Sequence, residues 1–86
     1  MGKTLIVFKI YPEAPEAVGK VEKAVRALKG VELRDMKREP IAFGLELIKA
    51  AFTIPEKQDN TLEELEKKLK SLEGVNNVEV EMMTLL

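Results

Sequence analysis

Residues 18–28 read VGKVEKAVRAL, and their larger apolar side chains recur at intervals of three, four and three residues. The same intervals return in residues 62–72, LEELEKKLKSL. In a helix, this spacing places four side chains on one stripe that can face a protein core. The chain is therefore predicted to contain two amphipathic helices, each with one buried side.

Both predicted helices carry signals at their ends. Pro15 suits a first-turn position, where its missing N–H costs nothing. Thr61, with Glu64 three residues later, forms a capping-box pattern. Gly30 and Gly74 each follow a last apolar position, where a left-handed residue commonly ends a helix. These signals predict helices of about three to four turns.

Four strand-like runs surround the two helices. Residues 4–11 are mostly aliphatic and aromatic, which is typical of a central strand, whereas residues 31–38 become charged, as an edge strand does. Residues 45–54 alternate with a period of two and end at Pro55, which cannot donate to a ladder. Residues 78–83 alternate valine and methionine with glutamate, which predicts a half-buried strand.

These elements follow the order β-α-β-β-α-β, in two halves of similar length that cover residues 4–38 and 45–83. Right-handed crossovers place both helices on the same face of one sheet. The prediction is an α+β, ferredoxin-like two-layer sandwich with a four-stranded antiparallel sheet and two helices on one face. We expect a single domain over residues 1–86.

Composition narrows the classes of function. The 86 residues include no cysteine and no histidine, which removes thiolate nucleophiles, the usual general base and the commonest metal ligands. The net charge is −1, whereas nucleic-acid binders usually carry a basic excess. No apolar run is long enough to span a membrane. We expect a cytoplasmic protein that acts by binding a macromolecule, without covalent chemistry, cofactor, direct nucleic-acid contact or membrane contact.

The connection between the second and third strands does not read as a polar hairpin loop. Residues 40–44 are Pro-Ile-Ala-Phe-Gly. Pro40 disfavours a helical conformation before it, and Gly44 can take a positive φ. Either Ile41 and Phe43 tuck under the sheet edge as a satellite core, or Phe43 is an exposed anchor for a partner pocket. Phe8, by contrast, alternates with isoleucines and is expected in the core.

The C-terminus is unusual because it ends on apolar residues. Met82 is expected in the core, with Met83 and Leu85 facing the other way. The tail either completes the fourth strand or offers flexible side chains to a partner, a role that suits methionine.

The run PIAFGLELI, residues 40–48, resembles the signature of the archaeal elongation factor 1-beta family. The likeness extends to the first strand ending in Pro-Glu, to Pro55 and to residues 73–80, EGVNNVEV. It implies a ferredoxin-like guanine-nucleotide exchange factor for elongation factor 1-alpha, the GTPase that carries aminoacyl-tRNA. In eukaryotic relatives a phenylalanine at the position of Phe43 contacts the GTPase. They also use a lysine one residue before the C-terminus, where this chain has Leu85.

Several residues are thus candidates for binding the partner. Lys49, like Lys9, lies on the sheet side opposite the core and is a candidate for meeting an acidic surface. The partner-binding candidates are Pro40, Ile41, Phe43, Gly44, Lys49, Met83, Leu85 and Leu86. We expect a monomer when the protein is free. The alternative is a small regulatory or interaction module that homodimerises through its sheet, using Leu5, Val7, Leu47 and Ala51.

Overall fold

A computed structural model describes residues 2–28, 31–55 and 61–85, and its elements follow the predicted order. The bounds are β1 Lys3–Pro12, a 3-10 turn Pro15–Ala17, α1 Val18–Arg26, β2 Glu32–Pro40, β3 Glu46–Pro55, α2 Thr61–Ser71 and β4 Val75–Leu85. The fourth strand begins three residues earlier than predicted, because two asparagines interrupt the alternation that would have marked its start. It also continues through the apolar tail.

The four strands form one sheet in the order β2-β3-β1-β4, and every neighbouring pair is antiparallel. Both helices contribute side chains to the same core as the sheet. They therefore cover one face, which we call the helix face, and the other is the open face. This confirms the ferredoxin-like sandwich.

Alternation along the strands fills the core. Ile6, Phe8 and Ile10 of β1 are fully buried, and their neighbours in sequence are not. The rings of Phe8 and Phe52 meet edge to face, with centroids 6.0 Å apart and an interplanar angle of 69°. Both rings are fully buried, which confirms that they belong to the core and are unavailable to stack on nucleotide bases.

The loop between α2 and β4 packs closely against the start of α1. Gly74 has φ +91°, and a Cβ atom there would lie 3.3 Å from both Ala17 Cβ and Val21 Cγ2. Its carbonyl accepts a 2.8 Å hydrogen bond from the N–H of Glu13. Glycine at position 74 thus allows both the left-handed backbone conformation and the close approach of this loop to the start of α1. The predictions for Gly30 and for the Thr61 side chain lie outside the described residues.

A β-bulge in β4 changes which side chains face the helices. Val7 pairs with Met82, and Phe8 pairs with Val80, so Glu81 is the extra residue. An inserted residue reverses the alternation beyond it. The prediction that Met82 lies in the core is therefore wrong, since it shares the open face with Val7 and is 48% exposed.

The same bulge also reverses the faces of the sheet on which the next residues of β4 lie. Met83 lies opposite Ile6 and Leu85 lies opposite Thr4, so both share the helix face rather than the open face that the sequence predicted. They remain 56% and 66% exposed. The C-terminal end of β4 thus displays apolar side chains on both of its faces.

Candidate partner-binding site

The hairpin between β2 and β3 projects beyond the rest of the sheet. β1 pairs with β3 only as far as Ile10 and Ile48, whereas the pairing of β2 with β3 continues to Pro40 and Glu46. Residues 39–47 therefore form a two-stranded ribbon beside which no other described strand lies, and we call it the hairpin arm.

The tip of the arm is a tight turn with two left-handed residues. The N–H of Leu45 donates to the carbonyl of Ala42 at 3.0 Å, and the N–H of Ile41 donates to the carbonyl of Leu45 at 2.8 Å. Phe43 has φ +56° and Gly44 has φ +77°. Two successive positive φ values are the mark of a type I′ turn, whose twist matches that of a hairpin.

This turn presents Phe43 to solvent. The Phe43 side chain is 99% exposed and that of Ile41 is 49% exposed. The interpretation that both tuck under the sheet edge is therefore wrong. Phe43 is also the only described non-glycine residue with positive φ, a conformation that costs an ordinary side chain about 1–2 kcal/mol. Strain kept at a position with no packing benefit points to a role outside the folded chain.

The C-terminal end of β4 is a second exposed apolar region. Val80, Met82, Met83 and Leu85 are 41% to 66% exposed. Among the described residues β4 is an edge strand, so one row of its backbone groups pairs with no other described strand. β2, the opposite edge, instead exposes mostly charged side chains. Leu86 lies outside the described residues.

The tip of the hairpin arm and the Leu85 end of β4 lie at opposite ends of the sheet, and Val80, opposite Phe8, lies between them. Ile10 marks the base of the hairpin arm, and Thr4 pairs with Leu85. Ile10 lies six residue steps along β1 from Thr4, which is about 20 Å in an extended strand. The sequence did not show this separation, because it depends on how β4 pairs with β1. No single small pocket of a partner can contact both regions.

Lys49 lies on the open face, but its charge is engaged within the chain. Its Nζ atom is 2.8 Å from Glu39 Oε2 and 3.0 Å from Glu81 Oε1. Lys9 Nζ also approaches Glu81, at 3.8 Å. Hydrogen bonds to Glu39 and then Glu81 raise the pKa of Lys49 above its ordinary value, and Lys49 lowers the pKa of Glu39. This pairing leaves less of the Lys49 charge for an acidic partner.

A second ion-pair cluster, on the helix face, has no signature in the sequence. Arg38 Nε lies 2.9 Å from Glu22 Oε2, and Arg38 Nη2 lies 2.6 Å from Glu22 Oε1. This two-point contact lowers the pKa of Glu22, chiefly through the hydrogen bonds from Arg38. Because Glu22 and Arg38 lie on different elements, only the packing of α1 against the sheet brings them together.

The described residues, 2–28, 31–55 and 61–85, contain neither a metal-binding cluster nor a membrane-spanning helix. No group of three or more carboxylates there is arranged to hold a metal ion. No helix among those residues is both long and apolar enough to cross a membrane.

Comparison with known proteins identifies the family. A profile of the EF-1 guanine nucleotide exchange domain matches residues 5–86. The chain belongs to this family. It is 41% identical to elongation factor 1-beta of Methanoculleus marisnigri over the full length of both chains. It is 40% identical to elongation factor 1-beta of Ignicoccus hospitalis, over 94% of this chain and 89% of that protein.

Family membership makes the chain a guanine-nucleotide exchange factor of translation elongation, as the PIAFGLELI signature indicated. The family implies an elongation GTPase as the partner and a role that depends on binding.

Among solved structures, the ACT domain from GTP pyrophosphokinase of Chlorobium tepidum resembles this chain with a TM-score of 0.66. The match covers 92% of this chain and 99% of that chain at 16% identity. At this identity the likeness concerns the fold, and it agrees with the ferredoxin-like topology.

Proposed function

We propose that the chain promotes GDP release from elongation factor 1-alpha by binding it through the hairpin arm and the C-terminal end of β4. The observation that best supports this proposal is the exposed, strained Phe43 at the tip of the arm. An aromatic side chain buried in a partner pocket commonly dominates an interface. The contacting residues are Pro40, Ile41, Phe43, Gly44, Met83, Leu85 and Leu86.

The exchange needs no covalent step and no cofactor. A factor that binds the nucleotide-free GTPase more tightly than the GDP-bound form lowers the affinity of the GTPase for GDP by the same ratio. The free factor acts as a cytoplasmic monomer without nucleic acid. The open face carries Lys49, Lys9 and Glu81 near its centre, and burying these charges against a second copy opposes dimerisation.

The separation of the two apolar regions suggests how exchange proceeds. Leu85 has no charge and cannot compete electrostatically with Mg²⁺ in the nucleotide site. Contact at points about 20 Å apart instead allows the arm to anchor the GTPase while the end of β4 favours a changed shape of that site. The exchange step is therefore assigned to reshaping of the GTPase through these two contacts.

The test is the release of a fluorescent GDP analogue from the cognate GTPase at increasing concentrations of the factor. Phe43→Ala is expected to raise the half-saturating concentration about 30-fold, the equivalent of about 2 kcal/mol of anchor energy. Lys67→Ala, on the exposed side of α2, is the matched control and should leave the titration unchanged.

Two results would remove the proposal. One is a release rate that does not depend on the wild-type factor. The other is equal half-saturating concentrations for wild type and Phe43→Ala, which would show that the arm does not anchor the partner.

A further inference from the structure

The hairpin arm begins beyond one row of paired residues across β2, β3 and β1, which we call the rung at Ile48. Ile48 pairs with Arg38 on one side and Ile10 on the other, and it is the last residue toward the tip with both neighbours. Beyond this rung the arm is a two-stranded ribbon, which is only marginally stable in water by itself. The Phe43 ring is 99% exposed and cannot hold the arm in place by packing, and of the arm residues only Leu47, at its base, is buried.

On the helix face, Arg38 links this rung to two other elements. Its guanidinium makes the two-point contact with Glu22 of α1, and its Nη1 atom lies 3.9 Å from Glu46 Oε1 at the start of β3. The Glu22 side chain is only 17% exposed. A two-point guanidinium–carboxylate pair fixes geometry as well as charge, and partial burial reduces screening by water.

On the open face, Lys49 links the same region to the opposite side of the sheet. Lys49 follows Ile48 in β3 and bridges Glu39, the first residue of the arm, to Glu81 in the bulge of β4. Glu81 follows Val80 and so lies on the open face by ordinary alternation, and there it reaches Lys49. Ion pairs therefore bracket the base of the arm from both faces.

We infer that these two ion-pair clusters form a clamp that fixes the direction of the hairpin arm and thereby orients Phe43 for its partner. Arg38 and Lys49 are positioning residues that act through Phe43. The orientation of the arm stands on this structure alone, whereas its consequence for exchange rests on the proposed function.

The clamp acts by preorganisation. An arm that samples several directions is competent to bind for only part of the time, and the apparent affinity falls by that fraction. Once the complex has formed, the contacts of Phe43 are the same. Loosening the clamp should therefore raise the half-saturating concentration in the exchange assay and leave the maximal release rate unchanged.

Motion of the arm can be measured without the GTPase. The chain contains no tryptophan, so Phe43→Trp places a unique fluorophore at the tip. In this background, Arg38→Met, Lys49→Met and the double variant should increase the amplitude of nanosecond anisotropy decay, most in the double variant. Lys20→Met is the matched control, because it removes the 2.7 Å ion pair with Glu73 away from the arm. Circular dichroism checks that each variant is folded.

The exchange assay is then run on the same substitutions with Phe43 present. Arg38→Met and Lys49→Met should each raise the half-saturating concentration about three- to tenfold, with an unchanged maximal rate. Reversing the pair, with Glu22→Arg and Arg38→Glu together, should restore affinity and anisotropy in part relative to Arg38→Met, because the contact with Glu22 returns while the contact with Glu46 becomes a repulsion between carboxylates. Lys20→Met should resemble the wild type.

Unchanged anisotropy in the folded double variant would overturn the clamp. The inference would also be overturned if the variants loosen the arm without changing the half-saturating concentration, while Phe43→Ala does raise that concentration. The orientation of the arm would then not matter for exchange. If Phe43→Ala has no effect on exchange, the proposed function fails, and the anisotropy still decides whether the clamp holds the arm.

Discussion

Replacing Phe43 by glycine should make the protein more stable and a weaker exchange factor. Phe43 holds φ +56° at the first central position of the turn, followed by Gly44 at +77°. Glycine adopts this region without the Cβ clash that a phenylalanine suffers. Gly-Gly is also among the preferred pairs at the centre of a type I′ turn. The ring itself contributes little to folding, since it is almost fully exposed.

The expected gain follows from two opposing terms. Relief of the left-handed conformation contributes about 1–2 kcal/mol to the free energy of unfolding. The greater backbone entropy of glycine in the unfolded chain lowers the free energy of unfolding by about 0.5–1 kcal/mol. A net gain of about 0.5–1 kcal/mol corresponds to a rise in Tm of about 2–8 °C for a domain of this size.

Phe43→Ala is the comparison that separates the two effects. Alanine also lacks the ring but keeps a Cβ atom at positive φ, so its Tm should stay close to that of the wild type. Thermal unfolding followed by circular dichroism gives the stabilities, and fluorescent-GDP release gives the half-saturating concentrations. Both variants should lose affinity to the same extent, and only the glycine variant should gain stability.

A glycine variant with a Tm at or below that of Phe43→Ala would refute the claim that the free turn holds Phe43 in a strained conformation. Backbone strain at Phe43 would then no longer support a role for this residue in binding a partner.

Two further substitutions test the packing and electrostatics that support the site. Gly74→Ala should lower the free energy of unfolding by about 1–3 kcal/mol, since it adds strain at φ +91° and a Cβ atom 3.3 Å from Ala17 and Val21. Chemical denaturation measures this change, and an unchanged free energy of unfolding would contradict the close approach. Arg38 holds the pKa of Glu22 below its ordinary 4.5, so the stability from this carboxylate is present above that pH and lost as pH falls through the lowered pKa. Glu22→Gln should therefore lose less stability than the wild type between pH 7 and pH 3, and equal losses would show that the pair does not stabilise the fold.

Local pattern was enough to predict the element order and most of the core. The stripe through Val21 and Val25 predicted α1, and strict alternation predicted that Phe8 is buried, as the structure confirms. These features depend only on the periods of a helix and a strand, which a short window of sequence contains. The PIAFG loop also departs from ordinary hairpin chemistry, and this departure marks Phe43 as a candidate contact residue from the sequence alone.

Register and bulges could not be predicted in this way. One extra residue at Glu81 moved Met82 to the open face and placed Met83 and Leu85 on the helix face. Such a residue changes the fit between two strands that are distant in the chain, and nothing in the alternation of β4 alone marks where pairing with β1 slips.

The sequence by itself determined the periodic elements, the aromatic core and the unusual residue at the tip of the loop, because each depends on neighbours in the chain. Only the tertiary structure decided that the arm projects beyond the rung at Ile48, that Leu85 lies at the other end of the sheet, and that Arg38 and Lys49 bracket the base of the arm. Those relations join residues from different elements, and the packing of helices on the sheet brings them within a few ångströms of one another.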